Sequence, residues 1–243
     1  MHHPSLWGGW AVALDTTHQG VIAHLVDVFR RFLADGFDYF KCDFLYAGAL
    51  LGRRADRGAT RAEALRRGLA AIRTAIGDGS FLLACGCPLG PAPGVVDAMR
   101  VSTDVGPWWT QRASVAGFAE TESGLCNAVR ASILRAPLHG RLWLNDPDCV
   151  VIRPTATDLT AEQRALLVDV VAGAGGFTVL SDDLATYGAD EWRAVDRLRD
   201  ASASIEPLDL VDPFAPAPVV RSSSTELCVD WHGRGTCSLA SRR

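Results

Sequence analysis

The apolar positions along the chain fall into two alternating kinds of run. In residues 21–34 they recur at helical spacing (Val21, Ile22, Leu25, Val28, Phe29, Phe32, Leu33), with Arg30 and Arg31 on the wet side. Gly36 follows, where a glycine closes a helix. The next run, 37–46, is rich in aromatic residues and reads as a strand. Residues 60–76 return to helical spacing, with Thr60 as N-cap and Glu63 in capping-box register. Buried strands are predicted at 80–85 and 98–103, a shorter one at 141–145 and a last one at 177–180. Helices are predicted at about 120–138, 159–172 and 189–201, and Gly173, Gly175 and Gly176 punctuate the turn into the last strand.

Strand and helix alternate with no Asn-Gly hairpin signal between strands, which argues for a parallel α/β sheet. From about residue 212 the character changes to Asp-Pro-Phe-Ala-Pro-Ala-Pro, then Ser222-Ser223-Ser224 and an arginine-ended tail. Residues 206–243 are therefore expected to be a linker and a poorly structured tail, and 1–17 an N-terminal extension. The 243 residues match the ~250 of a (β/α)8 barrel. The predicted strands, ending at Asp43, Cys85, Thr103, Asn145 and Leu180, number only five.

Composition narrows the class. With 48% hydrophobic and 21% charged residues the chain is globular, and a net charge of -4 gives no electrostatic reason for a nucleic-acid or anionic-membrane partner. The seven cysteines are an odd set, and Cys85 and Cys87 are too close for a CxxC pair. Reduced thiols in a cytoplasmic protein are the expectation. The apolar stretch 7–14 stops at Asp15, short of a usual signal peptide, and the uncharged run 81–96 holds three prolines and three glycines, which rules it out as a membrane span.

In parallel sheets the chemistry lies at the C-terminal strand ends. Each end here offers polar residues: Lys41-Cys42-Asp43, Cys85-Gly86-Cys87, Arg100 to Asp104, Asn145-Asp146-Pro147-Asp148 and Ser181-Asp182-Asp183. Side chains alternate along a strand, so Lys41 and Asp43 share a face, as do Arg100, Ser102 and Asp104, while Cys42 points into the helix layer. Two carboxylates at one mouth beside cations and tryptophans suit glycoside hydrolysis, which needs one acid protonated and the other ionised. Lys41 beside Asp43 suits the ionised role; the apolar Gly106-Pro107-Trp108-Trp109 after Asp104 suits the protonated one, with Trp108 and Trp109 able to stack on a sugar. Simpler readings stand beside these. Asp146-Pro147-Asp148 is apt for a turn, Asp182-Asp183 and His18 for helix caps, Cys85 and Cys87 for small buried hydrophobes, and Trp7, Trp10, Trp143 and Trp192 for packing. No GxSxG elbow, Walker A or GxGxxG motif is present.

Four segments, Asp38-Tyr-Phe-Lys-Cys-Asp-Phe-Leu-Tyr-Ala-Gly-Ala49, Cys85-Gly-Cys-Pro-Leu-Gly-Pro91, Asp97-Ala-Met-Arg-Val-Ser-Thr-Asp104 and Trp143-Leu-Asn-Asp-Pro-Asp-Cys149, resemble glycoside hydrolase family 36, the α-galactosidases. The resemblance runs from about residue 10 to 201. It implies a TIM-type (β/α) barrel, here partial with strands 4 to 8 of eight, occupying residues 18–205. It also implies a retaining hydrolase of α-galactosides that needs no metal or organic cofactor. The family's nucleophile falls on Asp43 and its acid/base on Asp104; Lys41, Cys85, Arg100, Trp108, Asp146 and Asp148 fall on the substrate side. Full members carry a β-sandwich and early barrel strands ahead of the matched stretch, and those strands help to select galactose. Alternatives therefore stay open: an inactive fragment with weak sugar binding or in need of a partner chain, or a related α-N-acetylgalactosaminidase or raffinose-type transferase. Open barrel edges are expected to favour self-association.

Overall fold

The computed structural model describes residues 2–4, 10–109, 111–113, 121–202, 209–211, 219–221, 225–229 and 237–241, which fall in two compact units, Met1–Met99 and Arg100–Arg243. Trp7 and the Ser222-Ser223-Ser224 run lie outside the described residues.

The first unit opens with an antiparallel pair, β1 (His2–Pro4) and β2 (Trp10–Val12). Helix α1 (Gln19–Ala34) follows, then β3 (Tyr39–Cys42), a 3-10 turn over Leu45–Ala49, α2 (Arg61–Ile76), β4 (Phe81–Ala84) and the start of β5 (Ala98–Arg100). β3, β4 and β5 run parallel with β4 in the middle, Lys41 opposite Leu83 and Leu83 opposite Ala98. Both helix starts obey their sequence signals. His18 Nδ1 accepts the Gly20 N–H at 3.0 Å, and Thr60 and Glu63 form the expected capping box. α2 turns Leu65, Leu69, Ile72 and Ile76 into the core, where Leu82 and Leu83 of β4 are also buried. Truncating a buried leucine such as Leu69 to alanine costs about 2–5 kcal/mol. The Arg73 guanidinium ties the end of α2 to the next loop, donating to the carbonyls of Ser80 at 2.8 Å and Val95 at 3.0 Å and pairing with Asp97. Asp97 in turn accepts the Leu82 N–H at 2.7 Å, which sets the β4–β5 spacing.

The second unit holds a short antiparallel pair, β6 (Gln111–Ala113) and β7 (Thr121–Ser123), then α3 (Leu125–Arg135) with a 3-10 turn over Ala136–Leu138. After them come β8 (Leu144–Asp146), β9 (Cys149–Val150), α4 (Ala161–Ala174), β10 (Val179–Leu180) and α5 (Ala189–Ser202). β9 and β10 pair in parallel. α4 is apolar nearly all round, burying Leu166, Leu167, Val168, Val170 and Val171, as a helix at the centre of a core does. Strands β11 (Asp209–Leu210), β12 (Val219–Arg221), β13 (Thr225–Val229) and β14 (Cys237–Ser241) form an antiparallel sheet.

Three expectations change. The tail predicted to be irregular carries those four strands; its proline and serine runs dominate the composition, but Thr225–Val229 and Cys237–Ser241 lie beyond them. The helix predicted from about residue 120 begins only at Leu125, because Gly124 at φ 140° stands outside helical geometry. The predicted strand 37–46 is also shorter, since Phe44 turns left-handed at φ 54° and ends it. No described helix is long and apolar enough to cross a membrane.

Candidate active site

In the first unit the end of β3 is wound around the end of β4 by backbone bonds. The Cys85 N–H donates to Cys42 O at 2.7 Å, Leu45 N–H to Cys85 O at 3.3 Å and Tyr46 N–H to Gly86 O at 2.7 Å. This winding requires the left-handed Phe44 and places its N–H 2.6 Å from Asp43 Oδ1. Gly86 closes the arrangement from the other side. At φ +55° it is in glycine's territory, and a Cβ there would lie 3.2 Å from both Asp43 Oδ1 and the Phe44 nitrogen. Lys41 and Asp43 are exposed, whereas Cys42 is half-buried, as alternation predicts. They border an open groove of about 490 Å³ along β3, otherwise walled by apolar residues including Phe29, Phe32 and Tyr39.

The cysteines beside Asp43 are kept as thiols. Burial pushes Cys42 up to about 11; burial first, then the neighbouring Cys42 and Cys85, pushes Cys87 up to about 12. Cys85 is buried, in keeping with the packing reading.

In the second unit Arg100 is the hub. Its guanidinium, only 8% exposed, reaches three carboxylates: Asp104 at 3.2 Å, Asp146 at 3.1 Å and Asp148 at 2.7 Å. Asp146 and Asp148 form the turn their sequence suggests. The Asp148 N–H donates to Asp146 Oδ1 at 2.8 Å, and Asp148 sits at φ 76°. Asp148 Oδ2 accepts the Val105 N–H at 2.8 Å, and Ser102 Oγ donates to Pro147 O at 2.7 Å. The β8 strand behind this turn is anchored by a buried set. Trp143 Nε1 donates to Asn145 Oδ1 at 3.1 Å, Asn145 Nδ2 to Arg135 O at 2.9 Å, and the Asn145 N–H to His139 Nδ1 at 3.0 Å. Burial lowers the affinity of His139 for a proton, so it remains the neutral acceptor this bond needs.

The apolar wall expected over Asp104 is not there: its side chain is 89% exposed, with the Arg100 cation as its neighbour. Trp108 turns inward instead, against Gly106, where a Cβ would lie 2.5 Å from the indole. The Trp108 N–H is enclosed with no acceptor among the described residues. The carbonyls of Trp108 and Trp109 accept the first amides of α3, from Leu125 and Cys126, so this loop caps a helix. Asp183 caps as the sequence suggests, accepting the Ala185 N–H at 3.0 Å. Asp182 does more. Its fully buried carboxylate accepts from Ile152 N–H, Arg153 N–H, the Arg153 guanidinium and the Tyr187 hydroxyl at 2.6–2.8 Å. Burial alone would raise this carboxyl, but those donors hold it below the usual carboxylate range. Its double-Asp setting gave no sign of that role. Among the described residues no group of three His, Cys, Asp or Glu is placed to hold a metal ion.

The parallel α/β arrangement of strands and helices is shared by known structures. The chain is 32% identical to the α-galactosidase of Thermus thermophilus, solved in complex with p-nitrophenyl α-D-galactopyranoside, with a TM-score of 0.71 over 93% of this chain and 44% of that one. The same enzyme in complex with stachyose matches 83% of this chain and 42% of its own length, with a TM-score of 0.66. α-Galactosidase I from Mortierella vinacea shares the fold at 12% identity, with a TM-score of 0.64 over 85% of this chain and 55% of that one. No protein-family model matches the chain. The class defined by these likenesses is the α-galactosidase type of parallel α/β fold. The resemblance to glycoside hydrolase family 36 is borne out, and the chain spans less than half the length of the Thermus enzyme.

Proposed function

We propose that the chain carries the catalytic part of a retaining α-galactosidase, residues 18–205 contributing the later strands of a TIM-type barrel. The reading rests above all on the 32% identity, across 93% of the chain, to an α-galactosidase solved with an α-galactoside. Asp43 is the nucleophile and Asp104 the general acid/base. In the first step a carboxylate oxygen of Asp43 forms a bond to the anomeric carbon as the glycosidic C–O bond breaks, and the Asp104 carboxyl gives its proton to the departing oxygen. In the second step Asp104 takes a proton from water, whose oxygen displaces Asp43 from the sugar. Two displacements return the original configuration. Lys41, exposed beside Asp43, suits a hydroxyl of the sugar. A retaining pair works at a carboxyl separation of ~5–5.5 Å.

The test is hydrolysis of p-nitrophenyl α-D-galactopyranoside by the folded chain. We expect p-nitrophenolate release, α-galactose as the first-formed anomer, and loss to background in Asp43→Ala. No release from the chain, nor from a longer polypeptide containing it, overturns the reading.

One observation favours a second reading, a fragment that works only with further polypeptide. β3 is an edge strand among the described ones, and the groove beside it is lined with half-exposed aromatics. Activity that appears only on adding the remaining part of a longer chain would select it.

A further inference from the structure

We propose that Asp148 is a positioning residue for Asp104, holding both its backbone and its side chain, and is not itself a sugar ligand. The inference rests on the reading of Asp104 as the general acid/base.

Both oxygens of Asp148 are engaged inside the chain. Oδ1 pairs with Arg100 Nη2 at 2.7 Å, and Oδ2 accepts the N–H of Val105 at 2.8 Å. Val105 is the residue directly after Asp104, so Oδ2 fixes the backbone that carries the acid. Arg100, held by Oδ1, presents Nη1 to Asp104 Oδ1 at 3.2 Å, so the same carboxylate also fixes the acid's side chain. Asp148 is itself fixed. Its left-handed backbone, φ 76°, is a geometry that persists where surroundings over-determine it, and here the Asp146 carboxylate takes its N–H at 2.8 Å while also bonding Arg100 Nε at 3.1 Å. Every link runs between neighbours of low exposure until the last one, the exposed Asp104. An exposed carboxylate on a short side chain has rotamer freedom; a guanidinium held by the buried Asp146 and the half-buried Asp148 restricts it.

The chemical consequence depends on the leaving group. A general acid contributes about 10²–10⁴-fold when the departing oxygen needs a proton, and far less when it leaves readily as an anion. Disturbing the acid's position should therefore hurt unactivated substrates selectively. Asp148→Asn is nearly isosteric but offers one oxygen where two are used; an amide NH2 is worse placed against the Arg100 cation than against a neutral N–H, so the oxygen stays on Arg100 and the Val105 bond is given up.

The experiment compares the full chain and its Asp148→Asn variant on p-nitrophenyl α-galactoside and on methyl α-galactoside, with amide hydrogen exchange at Val105 measured in parallel. We expect kcat on the methyl glycoside to fall about 100-fold and on the aryl glycoside less than about tenfold, with KM little changed. Exchange at Val105 should quicken at least tenfold while amides of α4 keep their protection. An equal loss on both substrates, or a loss expressed mainly in KM, overturns the proposal in favour of a structural or a sugar-binding role. If the parent chain hydrolyses neither substrate, the proposed function is what has failed. The exchange measurement then decides the clamp alone, and unchanged protection at Val105 overturns it.

Discussion

The two carboxylates for which we propose catalytic roles are held in unlike ways. Asp43 is placed by backbone: the amide of Phe44, the close approach of Gly86 and the bonds that wrap the end of β3 around β4. Asp104 is placed by charge: one buried guanidinium shared among three carboxylates, of which Asp146 is buried and Asp148 half-buried. Placement by backbone depends on shape, tolerates most side-chain changes nearby and fails at the glycine. Placement by charge depends on a balance between ions of low exposure, so deleting one member upsets the others. A nucleophile must meet one carbon along one line, which suits the stiffer device. An acid that later serves as base must exchange protons with solvent, which suits exposure at the end of an ionic chain.

Breaking the charge balance gives the largest expected effect. Arg100→Met takes from Asp146 and Asp148 the cation they share, at a cost of about 3–5 kcal/mol read from urea unfolding. Adding Asp146→Asn and Asp148→Asn to that variant should recover part of the loss, which a simple packing defect would not. A smaller effect belongs to the backbone site. Gly86→Ala puts a methyl at a left-handed position against Asp43 and Phe44, and should cost about 1–2 kcal/mol. Its turnover of aryl galactoside should drop more than its stability does; full activity would show that Asp43 is placed by something other than this contact.

The smallest effect comes with pH, and it acts behind the charged site only. His139 accepts the Asn145 amide one residue before Asp146, and its proton affinity in the fold is below that of an exposed histidine. Its folded pKa is depressed, so its stabilising contribution is present above the unfolded value of about 6.5 and is lost as pH falls through the folded value. A loss of about 1 kcal/mol is expected as acidification below about pH 6.5 protonates the ring, absent in His139→Gln if its amide oxygen takes over as acceptor. Equal pH slopes in the two proteins would remove His139 from the account.

Much of the scaffold was legible because its signals are local. The capping box at Thr60, the cap at His18 and the helical stripes of α1 and α2 rest on residues within a few positions of one another. So did the Asp146-Pro147-Asp148 turn. The fate of a stripe was not legible. α1 is as regularly amphipathic as α2, yet α1 has no buried residue and α2 has eight, because burial depends on what lies across from a face. The surroundings of Asp104 were misjudged for a similar reason. Of the tryptophans next to it in sequence, Trp108 turns inward over Gly106 and both cap α3 through their carbonyls, and the neighbour of Asp104 is an arginine whose own partners lie some 45 residues further on.

The sequence alone therefore determined the alternation of strand and helix, the parallel sheet it implies, the strand-end carboxylates and, through four short motifs, the family. These follow from periodicity and residue chemistry, which are read along the chain. Only the tertiary structure decided how each carboxylate is held, that Arg100 binds Asp146 and Asp148 as well as Asp104, that Asp182 is a buried four-way acceptor, and that the tail forms a sheet. Those depend on distances between residues far apart in sequence, set when apolar faces are buried and each buried charge must find its partner.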